Sequence, residues 1–123
     1  MKAWLLAAIA SPHFRSWLVA FLLTQAVEVP IWQWALRPRP LQQRLAIGFG
    51  ASLITHPLLW ICWPLGFSGS YWVATAFGET GVVIVEAIYI HLWSVRSPVV
   101  WSLLANGASF ASGLVLGYFF GWF

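Results

Sequence analysis

Glu28, Glu79 and Glu86 are the only acidic residues in the chain, and each stands inside an apolar run. All six Lys and Arg residues fall at the ends of those runs or between them. A solubilising surface would scatter acids among bases, and here the two signs are segregated. An ionised carboxylate in hydrocarbon is costly, so acids in such positions mark proton or ion pathways or act as interhelical glue. Glu79 and Glu86 share the stretch YWVATAFGETGVVIVEAIYIHLW, from Tyr71 to Trp93. Seven positions of helix return the two carboxyls to nearly one face, about two turns apart. His56, with Thr55 beside it, lies midway along a second apolar run, and Asn106 lies in the first half of another. At about 1.5 Å per residue from the run ends, Glu28, His56, Glu79 and Glu86 reach the central depth of a bilayer and can converge there. The expected site is a protonatable core of Glu79 and Glu86, with Glu28 and His56 as neighbours and Asn106 and Thr55 as hydrogen-bond partners. Carboxyls so placed can hold a proton and release it when water or a cation enters.

Other chemistries find less support. A metal site from Glu28, His56, Glu79 and Glu86 is chemically open, but the Glu-x-x-His pairs of carboxylate-bridged bundles are missing, so metal and cofactor stay unassigned. Haem would want two well-placed histidines, and only His56 is central; His91 lies near a run end and His13 in the N-terminal segment. Cys62 is alone, which excludes an internal disulfide and any CxxC motif. No Gly-rich phosphate loop, HExxH or Ser-His-Asp layout occurs, so an enzyme is the lesser expectation. The net charge of +3 comes from bases at segment ends, not from a stripe, and nucleic acid is not an expected partner.

The elements that must position these residues follow from composition. Of 123 residues, 61% are hydrophobic and 7% charged, against about 25% charged in soluble domains. One core of this size could not hide so much apolar surface. The expectation is an all-α polytopic membrane protein, a four-helix transmembrane bundle over residues 14–123 after a short N-terminal interfacial helix in residues 1–13. Crossings are expected at about 14–36, 45–65, 71–93 and 99–122. Lys2 and the short run ending Ala8-Ile9-Ala10 also resemble a signal peptide, a lesser reading because the run is barely long enough. RPRPLQQR (37–44) reads as a linker, and GFSGS (66–70) and SVRSP (94–98) as turns. Most of the ten Trp sit near run ends, as an interfacial belt does. Pro30 and Pro57 stand beside Glu28 and His56, and each removes a helix donor, from the carbonyls of Ala26 and Leu53. Ala105, Ser109, Gly113, Gly117 and Gly121 recur every fourth residue, a small-residue strip that lets another backbone approach. A faint internal repeat aligns Ser52-Leu53-Ile54-Thr55-His56 with Ser102-Leu103-Leu104-Ala105-Asn106, and Val27-Glu28 with Val85-Glu86.

With four crossings and Glu28 in the first, the chain is similar in architecture to small multidrug transporters. The resemblance implies a proton and drug site at Glu28. The flanking residues Gln25-Ala26-Val27 and Val29-Pro30 depart from that family's pattern, and Glu79 and Glu86 have no counterpart in it. The favoured function is ion- or proton-coupled movement of a small solute. The alternatives are a non-catalytic scaffold subunit of a larger membrane complex and, less favoured, an intramembrane metal or redox subunit. Expected partners are membrane lipid, a second copy or another membrane protein, and a small solute or ion. The expected location is a bacterial-type inner membrane. Arg37, Arg39, Arg44 and Arg96 on one side against Lys2 and Arg15 on the other place both termini outside the cytoplasm.

Overall fold

The computed structural model describes residues 3–66 and 70–121, and all regular structure within them is helical. A short helix, α1 (Ala3–Ala10), precedes four long ones: α2 (Pro12–Ala35), α3 (Leu41–Gly66), α4 (Tyr71–Leu92) and α5 (Pro98–Phe120). By length and composition α2, α4 and α5 can each cross a membrane. The expected turn at 66–70 lies mostly outside the described residues.

Local chemistry sets the helix ends. Ser11 caps α2, its Oγ accepting from the Phe14 N–H at 3.1 Å, and Pro12 occupies the first turn, where a missing N–H costs nothing. Leu36 closes α2, its N–H reaching the Trp32 carbonyl at 2.9 Å. The linker is shorter than its composition implies: α3 begins at Leu41, directly after Pro40, and takes Gln42, Gln43 and Arg44 into its first turn. Ser94 and Ser97 hold left-handed backbone, at φ 61° and 56°, in the turn before Pro98 opens α5. Gly121 ends α5 at φ 62°, its N–H bonded to the Gly117 carbonyl at 3.0 Å. That conformation suits glycine, so Gly121 has a capping reason to be there besides its place in the strip. Both α2 and α3 run unbroken through Pro30 and Pro57.

The four long helices form a ring. α2 packs against α3 and α5, α4 packs against the same two, and the diagonal pairs α2/α4 and α3/α5 do not pack together. Polarity is inverted relative to a soluble bundle. Leu22, Leu58, Ile88 and Leu103 are 57%, 54%, 58% and 55% exposed, while Glu28, Ser52, Glu86 and Ser102 are at most 1% exposed. One end of the ring is closed by Trp32, Leu36, Ile47, Ala51, Ile90, Val95 and Ala105, all buried. Two glycines of α3 permit this closure. A Cβ on Gly48 would stand 2.9 Å from the Trp32 Cβ, and one on Gly50 would stand 2.6 Å from the Tyr89 hydroxyl. At the same end Arg39 ties the two interhelical connections together. Its Nη2 donates to the Trp93 carbonyl at 2.8 Å, and its guanidinium lies 5.4 Å from the centre of the Trp93 ring.

The contrast between Gly48 and Gly81 is testable. Gly48→Ala must push Trp32 off its seat and is expected to cost about 1–3 kcal/mol. Gly81 meets nothing within 4 Å, so Gly81→Ala should be neutral or gain up to about 1 kcal/mol from helix propensity. Thermal unfolding in detergent micelles measures both.

Candidate functional site

The four helices line a partly open cavity of about 90 Å³ whose walls include Glu28 of α2, Thr55 and His56 of α3, Glu79 and Glu86 of α4, and Asn106 and Ser109 of α5. All six residues expected to form the site by sequence therefore meet on one hollow, with Ser109 from the small-residue strip. The cavity is smaller than the roughly 150 Å³ that holds one benzene, and has room for a few waters or a small ion.

The acids arrive from the diagonal helices and their donors from the other two. Glu28 Oε2 accepts from Ser52 Oγ of α3 at 2.5 Å, and Oε1 accepts from Ser109 Oγ of α5 at 2.7 Å. Glu86 Oε1 accepts from Thr55 Oγ1 of α3 at 2.9 Å, and Oε2 accepts from Asn106 Nδ2 of α5 at 2.5 Å. Asn106 Nδ2 also donates to the Ser102 carbonyl at 2.9 Å, so both its neighbours are acceptors and the amide nitrogen is the group that fits there. Ser102 Oγ in turn donates to the Val83 carbonyl of α4 at 3.0 Å.

Two of these hydroxyls face a choice. Thr55 Oγ1 lies 2.9 Å from Glu86 and 3.2 Å from the Ala51 carbonyl one turn back. Ser109 Oγ lies 2.7 Å from Glu28 and 3.1 Å from the Asn106 carbonyl. A hydroxyl has one hydrogen and two lone pairs. Against an ionised carboxylate it donates to the acid. Against a protonated one it accepts the acid's proton and donates to the backbone carbonyl. Either state is satisfied without moving a heavy atom. Asn106 has no such freedom, because an amide N–H₂ only donates, so it holds Glu86 Oε2 as an acceptor in both states.

The structure weights the acids differently from their spacing along α4. The equivalent buried pair is Glu28 and Glu86, each 1% exposed. Glu79 is half-buried on the cavity wall and, among the described residues, makes no side-chain hydrogen bond. Its charge is within electrostatic reach of both pair members. His56 bonds to none of the acids. Its ring packs among Phe21 at 5.5 Å, Trp17 at 6.3 Å and Trp60 at 6.4 Å, and its buried Nδ1 has no partner. Among the described residues no group of three His, Cys, Asp or Glu is placed to hold a metal ion.

Sequence reasoning did not assign Ser52 or Ser102 to the site, although both stood in the faint repeat. Each is fully buried and bonds to the acid-bearing helix preceding its own, Ser52 to Glu28 and Ser102 to the backbone at Val83. The available signal was polar spacing: Ser52, Thr55 and His56 fall at i, i+3, i+4, and Ser102, Asn106 and Ser109 at i, i+4, i+7, each a single helix face. In the strip, Ala105 is fully buried and Ser109 serves Glu28, whereas a Cβ on Gly113 would meet nothing within 4 Å.

No family model, curated protein or solved structure matches this chain.

Removing a donor from the pair should be felt far more than removing a hydroxyl that bonds only within its own helix. Asn106→Ala leaves Glu86 Oε2 without a partner and is expected to cost about 1–2 kcal/mol. Ser112 donates to the Ala108 carbonyl of its own turn, and Ser112→Ala should stay within about 0.5 kcal/mol. Detergent-phase unfolding of the two variants side by side tests the difference.

Proposed function

We propose that the chain is an integral membrane protein of four crossings, with α3 as the fourth, whose central acids take up and release a proton or small cation as a small solute or ion moves. The observation that carries this reading is the choice open to Thr55 and Ser109. Both acids of the pair can change protonation state with their hydrogen bonds intact, which a purely structural carboxylate has no need of. The inverted polarity of the bundle supports the membrane setting: its exterior matches acyl chains and its interior does not. The positive-inside rule assigns the end bearing Arg37, Arg39, Arg44 and Arg96 to the cytoplasm and both termini to the other side, in a bacterial-type inner membrane. Helix α1 then lies in the outer interface.

The cavity has one closed end. Trp32, Leu36, Ile47 and Ile90 seal the Arg-bearing side. Glu79 stands about 10 Å along α4 from Glu86, toward the opposite end. It is the acid that an incoming proton or cation meets first, and Glu28 and Glu86 receive it next. His56 bounds this route on the α3 side.

A second reading, a scaffold subunit, draws on Gly113, which leaves part of the small-residue strip open to another helix, from a second copy or a different membrane protein. In that case the pair is interhelical glue.

The experiment is proton flux into proteoliposomes carrying a trapped pH dye, driven by an imposed potential. Wild-type protein is expected to conduct or exchange protons. Glu28→Gln and Glu86→Gln should abolish the flux, and Glu79→Gln should slow it about tenfold or more, as removal of a positioned proton-transfer group does. Flux unchanged at all three acids removes the proposal. Absence of flux in wild type, with a protein copurifying at fixed stoichiometry, favours the scaffold.

A further inference from the structure

At the Arg-bearing end a second hollow, of about 210 Å³, is lined by Gln33, Trp34, Arg37 and Arg44, where α2 ends and α3 begins. We infer that it seats the phosphodiester headgroup of an anionic glycerophospholipid.

The argument begins with charge balance. The chain has three acids, and Glu28, Glu79 and Glu86 all face the central cavity. The arginines at this end therefore have no carboxylate side chain to pair with. Arg39 is already committed to the Trp93 carbonyl and ring. Arg37 and Arg44 are not: among the described residues Arg37 makes no side-chain hydrogen bond, and the Arg44 Nε is buried without a partner. Guanidinium groups take phosphate oxygens through paired N–H donors, so a phosphodiester supplies the anion that the chain lacks.

The other two residues fit the rest of such a ligand. Gln33 spends its Nε2 on the Val29 carbonyl at 3.3 Å, which leaves its Oε1 buried and without a donor. A headgroup hydroxyl, as on glycerol, is the group an orphaned acceptor needs. Trp34 is 69% exposed at the end of an apolar helix, where indole rings sit at headgroup depth. Free inorganic phosphate shares the guanidinium chemistry but gains nothing from Gln33 Oε1 or Trp34. Arg96 adds charge at the same end, and an anionic leaflet is attracted to such a cluster.

This site rests on the membrane setting proposed above but not on the proton chemistry. The test is native mass spectrometry of the full chain released from micelles, titrated with phosphatidylglycerol or phosphatidylcholine, with inorganic phosphate as competitor. Phosphatidylglycerol is expected to bind selectively and to resist displacement by phosphate. The double variant Arg37→Gln/Arg44→Gln should weaken it roughly ten- to thirtyfold, while Arg15→Gln at the other end leaves it unchanged. Arg44→Lys keeps the charge and loses the paired donors, so an intermediate loss is expected. It serves if the double variant does not fold. Equal binding of the two lipids, full displacement by phosphate, or unchanged binding in the Arg44→Lys and double variants would overturn the site. A chain that stays in solution without detergent and retains neither lipid overturns the membrane setting instead.

Discussion

Glu28 and Glu86 reach the centre of the ring from helices that do not pack on one another, and each is held by one donor from α3 and one from α5. A buried acceptor left without a donor costs about 1–3 kcal/mol, and more if it is charged. All four donors must therefore be in place when the helices close. This requirement fixes the rotation of every helix about its own axis. α2 and α4 must turn their acids inward, and α3 and α5 must present Ser52 with Thr55, and Asn106 with Ser109, to both sides at once. In a bilayer, where lipid contact is as favourable as contact between aliphatic side chains, such polar ties supply specificity that apolar packing does not.

The remaining contacts fit around this knot. Toward the Arg-bearing end the ring is filled by Trp32 and Ile90, both fully buried, and it closes because Gly48 gives up its side chain to the indole. Toward the other end lies a small polar hollow walled by the pair, Glu79 and His56, where His56 packs among Trp17, Phe21 and Trp60. The bundle is thus dry and tight on one side of the acids and open to small polar occupants at their level. The hollow's wall carries the small polar side chains of Thr24, Thr55 and Ser109 beside the larger Leu59, Val82 and Phe110.

Much of this arrangement was legible in the sequence. Three acids inside apolar runs, with the bases outside them, imply a polar interior in an apolar exterior, and Glu28, His56, Glu79 and Glu86 count to the central depth of a bilayer from their run ends. Periodicity along one helix carries no information about its neighbour, however. The seven-residue spacing on α4 drew attention to Glu79 and Glu86 as partners. The actual counterpart of Glu86 comes from α2, because helix rotation is decided by donors on α3 and α5. For the same reason Ser52 and Ser102 read as ordinary small residues until their bonds are seen. Gly48 and Gly50 gave no sign in advance either, since a glycine that admits a Trp or a Tyr hydroxyl looks like any other glycine in an apolar helix. Residues 37–44 misled in the other direction. Two prolines and three arginines suggest a long linker, yet α3 starts right after Pro40, and Gln42 to Arg44 sit on its first turn with their charge and amides at the helix edge.

Arg39 has one more role in the mechanics of the molecule. By joining the α2–α3 connection to the Trp93 carbonyl it clasps the two hairpins at a single rim. No comparable clasp among the described residues joins α2 to α4 at the opposite rim. A single exposed hydrogen bond contributes about 0.5–1.5 kcal/mol, so it biases that rim toward staying together and does not lock it. Parting the helices at the opposite rim leaves the Arg39 bond intact, whereas parting the two hairpins at this rim has to break it.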